Sequence, residues 1–312
     1  VNKETISLVI DESGAKGYSK TGPKNANEIG IAVGLFFLNT RILTDCNISC
    51  SKILEAEGIQ TKHITDLWKT EQTKAKRLIE KFYNILKIYN IPCLHRAIYV
   101  SGFHNEFKHK QLIKEQVFKK AKENNIGLSQ NDKKESLHAL LIRDVIARAV
   151  EFFYVNFGHT NINLDVVLDR VDMKVEKLIK KTVVDFFGEN RNEESVYYLN
   201  YYDITGKKKV KEGPFSFKME TKLPKSFDLN SVSVNISNKL NSLTFAADIV
   251  ANSLNRYLNL HSDHPLNSLH SLSLFNDFEL KDIFYLLYDN QESSVSDKIY
   301  RHPELDKTQN NA

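Results

Sequence analysis

Ile6-Ser7-Leu8-Val9-Ile10-Asp11-Glu12-Ser13-Gly14 is the stretch whose pattern decides the fold. Ile6, Leu8 and Ile10 alternate with Ser7, Val9 and Asp11, the period of two that sends successive side chains to opposite faces of a strand. The pattern stops at Ser13-Gly14, where glycine permits a tight bend. An acid at such a strand end is held by the sheet yet faces solvent, which makes Asp11 and Glu12 candidate cation ligands. The ordinary alternative is a turn in which Asp11 and Ser13 bond local backbone groups.

A second stretch repeats the arrangement. In Asn161-Ile162-Asn163-Leu164-Asp165-Val166-Val167-Leu168-Asp169 the even-numbered residues are apolar, and the odd face carries Asp165 and Asp169. Asp169 ends this strand as Asp11 ends the first, with Arg170 and Asp172 close by; the alternative is an Asp-Arg surface turn. A third acid lies in Leu243-Thr244-Phe245-Ala246-Ala247-Asp248-Ile249-Val250-Ala251-Asn252. At helical spacing Leu243, Ala247, Val250 and Leu254 form a buried face, and Asp248, Asn252 and Asn255 an adjacent polar stripe. Small Ala246, Ala247 and Ala251 suit close packing on a sheet. An exposed helical Asp is the alternative reading there.

The remaining chain supplies the frame. Ile29–Leu38 and Ile42–Ser49 are β-rich runs around Asn39-Thr40-Arg41, which predicts a hairpin and, with the first strand, a three-stranded meander. Asp66–Tyr89 has helical period, with Asp66 as the expected cap. Cys93–Ser101 reads as the fourth strand, Ser136–Tyr154 and Val175–Phe187 as helices, and Ser195–Tyr202 and Val232–Ile236 as strands. Leu243–Leu258 and Phe278–Tyr288 read as helices. The order predicts an α/β protein with a ribonuclease-H-like mixed five-stranded sheet and flanking helices. Neither an internal repeat nor a linker divides residues 1–302, which are expected to form one elaborated domain. It carries a Lys-rich insertion at about 203–230, and 303–312 reads as a disordered tail.

Composition narrows the class. The 312 residues are 41% hydrophobic and 26% charged, with a formal net charge of +4, ordinary values for a globular protein. The longest apolar run, Ile31–Leu38, falls short of the ~18 residues that span a bilayer, and the N-terminal residues lack a signal-peptide pattern. Cys46, Cys50 and Cys93 are an odd number without zinc-finger spacing, so a cytoplasmic protein with reduced thiols and no membrane partner is expected. Lys207, Lys208, Lys209 and Lys211 form a basic run able to hold nucleic-acid phosphates, or else a solvated loop. His261, His264 and His270 lack cysteine support for a zinc site. Tyr197, Tyr198, Tyr201 and Tyr202 are strand formers that are also able to stack bases. No phosphate-binding glycine loop, dinucleotide fingerprint or serine-nucleophile elbow is present.

Three acids from two strand ends and a helix suit divalent-metal chemistry on phosphodiesters. Carboxylates are the ligands hard ions prefer, so Mg²⁺ or Mn²⁺ is the expected cofactor.

The same residues resemble the bacterial domain-of-unknown-function family 3800, grouped with ribonuclease-H-like folds. The resemblance rests on Ile10-Asp11-Glu12-Ser13-Gly14, Val167-Leu168-Asp169-Arg170 and Ala246-Ala247-Asp248-Ile249-Val250-Ala251, with Lys62-His63-Ile64-Thr65-Asp66-Leu67 ahead of the first long helix. It implies Asp11, Asp169 and Asp248 as metal ligands and Glu12 and His63 as catalytic neighbours. The resemblance carries no substrate, but it implies a setting of phage defence or mobile elements; with the metal-suited acids, the expectation is a nuclease acting on RNA or DNA. The rival expectation is a catalytically silent ribonuclease-H-like module that binds nucleic acid or protein. One departure stands out: in ribonuclease H a catalytic acid ends the fourth strand, beside the first, whereas Cys93–Ser101 ends without an acid. Asp169 is then expected two strand spacings from Asp11, at about 4.8 Å each.

Overall fold

A computed structural model describes residues 3–15, 17, 28–60, 63–104, 107–108, 115, 119, 123, 136–169, 173–190, 197–202, 208–213, 231–260, 278 and 280–284. Strands β1 (Glu4–Gly14), β2 (Ile29–Phe37), β3 (Cys93–Tyr99), β4 (Ile162–Leu168) and β7 (Ser233–Asn238) form one sheet in the order β3-β2-β1-β4-β7. β1 runs antiparallel to β2 and β2 to β3; β4 runs parallel to both β1 and β7. The expected five-stranded mixed sheet with flanking helices is therefore present. β5 (Tyr197–Tyr202) and β6 (Lys208–Gly213) pair in a separate two-stranded sheet.

Helices cover both faces. α1 (Thr40–Ala56), α2 (Ile64–Thr70), α3 (Gln72–Ile88) and α6 (Ser242–Leu260) share one apolar cluster with Val9, Val33 and Leu35. On the other face α4 (Leu137–Phe157) and α5 (Met173–Asn190) bury Leu141, Val145, Ile179 and Val183 against Ile6, Leu8, Leu164 and Val166. All nine residues of β2 are buried, as befits a strand covered on both sides. Gly34 lets α4 approach: a Cβ there would lie 2.7 Å from Val145 Cγ1. α4 starts at Ser136, whose hydroxyl accepts from Ala139 N, and stops at Gly158 in the left-handed conformation.

Several expectations are corrected. Ile42–Ser49 belongs to α1, so the first strands form a hairpin followed by a helix. Asn39 caps α1, its Oδ1 accepting from Ile42 N at 2.9 Å, and Cys46 and Cys50 face the core one turn apart. Cys93–Tyr99 is consequently the third strand and the Asp169 strand the fourth, directly beside β1. That removes the two-spacing separation of Asp169 from Asp11. The single helix expected over Asp66–Tyr89 is α2 and α3, broken at Glu71 (φ −140, ψ 63). His63, not Asp66, occupies the N-cap position of α2. Within the Lys-rich stretch, Lys208–Gly213 is a strand paired with Tyr197–Tyr202. In Phe278–Tyr288 the described residues form a 3₁₀ turn, Lys281–Ile283, and Phe284 bridges Cys93. Lys207, Arg170, Asp172, His261, His264, His270 and the 303–312 tail lie outside the described residues.

Candidate active site

The site lies at the ends of β1 and β4 under α6. Ile10 pairs with Leu168 across the two parallel strands. One residue further on, Asp11 and Asp169 follow on neighbouring strands, and strand periodicity turns both toward the face that α6 covers. α6 crosses this face with Leu243, Ala246, Ala247, Val250 and Leu254 buried, and the same packing holds Asp248 over the strand ends.

Asp11 and Asp248 are 5% and 4% exposed, and their carboxyl groups hydrogen-bond each other. Burial, together with the charges of Glu12 and Asp248, pushes the Asp11 carboxyl well above the usual carboxylate range. Burial also pushes Asp248 up, opposed by hydrogen bonds from Ile64 N–H and Asp11 and by His63. Both carboxyls are therefore harder to ionise than an exposed acid, Asp11 above all. Ile64 N donates to Asp248 Oδ2 at 2.7 Å, and Asn252 Nδ2 donates to Oδ1 at 2.6 Å.

His63 brings in the third acid. Its Nδ1 lies 3.8 Å from Asp248 Oδ1 and 4.0 Å from Asp169 Oδ2. The His63 side chain is 48% exposed and that of Asp169 13%, so this side of the cluster opens to solvent. Asp11, His63, Asp169 and Asp248, proposed from sequence as one constellation, are together in space.

Glu12 departs from them. Consecutive strand residues face opposite ways, and Glu12 Oε1 lies 3.1 Å from His138 Nε2 of α4, both largely buried. Its charge reaches Asp11, but its carboxylate sits across the sheet from Asp248. His138 had no sequence signal. Lys208, Lys209 and Lys211 lie on β6 opposite Tyr202, Tyr201 and Leu199. A second basic feature is on α5: Lys174, Lys177 and Lys181 are exposed and share one stripe by their spacing. The first turn of α5 meets the β7 edge of the sheet, where Glu176 accepts from Asn238. That spacing was readable in the sequence.

Among the described residues, no group of three or more His, Cys, Asp or Glu side chains is arranged to hold a metal ion. The donor chemistry nevertheless fits a hard divalent ion, since the converging acids supply only oxygens. Burial and the neighbouring acids raise both Asp11 and Asp248, a strain that a bound cation would relieve. Cys46, Cys50 and Cys93 are free and buried, in the core away from these acids. No helix among the described residues is long and apolar enough to cross a membrane.

No protein-family model, no curated protein and no solved structure matches the chain.

Proposed function

We propose that this chain is a ribonuclease-H-like, metal-dependent nuclease that hydrolyses phosphodiester bonds in RNA or DNA. The observation that carries the reading is the convergence of three acids at one end of the sheet, Asp11 beside Asp248 and His63 between Asp248 and Asp169. Asp169 ends the fourth strand beside the first, the place where ribonuclease H carries a catalytic acid. The motifs resembling family 3800 are the ones that converge, which supports membership of that family.

Asp11, Asp169 and Asp248 would hold Mg²⁺ or Mn²⁺, whose positive charge would favour their ionised forms. A bound ion supplies Lewis-acid stabilisation for the charge that builds on phosphoryl oxygens. His63, exposed between two carboxylates, is placed to take a proton from water or return one to a leaving oxygen. Exposed Lys174, Lys177 and Lys181 of α5 are able to neutralise the phosphates of a polyanionic substrate. A second reading, a silent binding module, draws on the absence of a preassembled ligand group among the described residues.

Labelled RNA and DNA incubated with purified protein and Mn²⁺ provide the test. Cleavage that EDTA, Asp11→Asn and Asp248→Asn each abolish supports the nuclease. Nucleic-acid binding that survives EDTA and both substitutions, without cleavage, supports the silent module.

A further inference from the structure

A chain of side-chain hydrogen bonds leads from the surface of α6 to Asp248. Asn259 Nδ2 donates to Asn255 Oδ1 at 2.8 Å, and Asn255 Nδ2 donates to Ser13 Oγ at 3.1 Å. Ser13 Oγ donates to Asn252 Oδ1 at 3.0 Å, and Asn252 Nδ2 donates to Asp248 Oδ1 at 2.6 Å. Every donor points toward the acid. Asp248, Asn252, Asn255 and Asn259 occupy one stripe of the helix, and Ser13 of β1 inserts between the two middle amides. The path therefore crosses from helix to strand and back, two residues from Asp11.

An asparagine amide has a donor end and an acceptor end of nearly the same shape. Turned over, Asn252 would aim its oxygen at the Asp248 carboxylate and repel it. The Ser13 hydroxyl, donating to Oδ1, fixes which end faces Asp248. Asn255 in turn occupies the serine oxygen as a donor, so the hydroxyl proton is left for Asn252. Hydrogen bonds aligned head to tail polarise one another, strengthening the last one. Asp248 is thereby pinned through both oxygens, by Asn252 on Oδ1 and by Ile64 N–H on Oδ2.

We propose that Ser13, Asn252 and Asn255 are positioning residues that aim the Asp248 carboxylate at Asp11 and His63 and hold it against the start of α2. Its consequence for metal affinity rests on the nuclease reading; the orientation of Asp248 does not. Ser13→Ala removes the link without touching Asp248 itself. In metal-free protein, hydrogen exchange of the Ile64 amide is expected to quicken about tenfold, the size of one weakened hydrogen bond. The amides of β2 should keep their protection, and Ser13→Thr should restore Ile64. Asn255→Ala, one step further out, shifts exchange the same way by less and serves if Ser13→Ala does not fold. Mn²⁺ affinity is expected to fall about 10- to 100-fold in Ser13→Ala, as for partners that orient metal ligands. Wild-type exchange at Ile64 and unmoved Asn252 side-chain amide signals in these variants would overturn the proposal. Quickened Ile64 exchange in a protein whose wild type binds no Mn²⁺ upholds the positioning chain and removes the metal reading instead.

Discussion

Ile64 and Asp248, 184 residues apart in the chain, are joined by a 2.7 Å hydrogen bond from the Ile64 amide to Asp248 Oδ2. The bond satisfies an orphan amide in the first turn of α2 with a carboxylate from α6. It also sets His63, the residue before Ile64, over the acids. α2 therefore belongs to the site as much as the strand ends do, and its far end is fastened to the same helix. Arg256 of α6 lies over the Trp68 ring, 3.9 Å from its centroid.

Loss of that second fastening should loosen α2 measurably. Arg256→Ala is expected to cost about 0.5–1 kcal/mol, the worth of a partly exposed cation–π contact. Trp68 is the only tryptophan, so a red-shifted emission at unchanged far-UV circular dichroism reports the change. An unmoved spectrum would mean that α2 is held without Arg256.

The raised carboxyls of Asp11 and Asp248 make metal-free stability depend on pH. Burial raises both carboxyls in the fold, so above the unfolded value of about 4 the folded state binds more protons than the unfolded chain. Their stabilising contribution is complete below that value and is lost as pH rises through the folded value. Urea denaturation in EDTA is expected to show stability falling from acid toward neutral pH. Asp11→Asn, which keeps a neutral donor in place, should flatten this fall and raise stability at neutral pH.

Glu12 faces His138 across the sheet from the other acids. Glu12→Gln is expected to reduce cleavage by less than about tenfold, whereas Asp11→Asn removes a group acting in the transition state and abolishes it. Side-by-side rate measurements decide this. Equal losses would place the Glu12 carboxylate at the reacting phosphate.

Gly14 closes the first strand at φ +82, and a Cβ there would stand 2.2 Å from the Ile29 carbonyl oxygen. Backbone cannot yield as a side-chain tip can. Gly14→Ala is expected to cost more than about 2 kcal/mol, from left-handed strain plus the clash, and thermal melting measures it.

Much of this site was legible because half-buried strands and helices write their faces into the sequence. The alternations of Ile6–Asp11 and Asn161–Asp169 located both strand-end acids, and the Asp248-Asn252-Asn255 stripe located the third. The same period of two also separates Glu12 from Asp11, a signal the grouping of both as neighbours passed over. Ile42–Ser49 misled because Ile42, Thr44 and Ile48 favour strands. The Asn39 cap and the one-turn spacing of Cys46 and Cys50 were the opposing helical signals. The break at Glu71 has no local mark, since glutamate is a good helix former. Packing of α2 on α6 places it there, through Asp248 and Arg256. His138 and the Ser13 link depend on partners distant in the chain, which no local pattern encodes.

The most direct test is anomalous scattering from crystals of this protein soaked in Mn²⁺. Density bounded by the carboxylates of Asp11, Asp169 and Asp248 is expected, with the Asp11–Asp248 hydrogen bond opened. A clean map at saturating Mn²⁺ without density between these residues, or with the ion bound elsewhere, contradicts it.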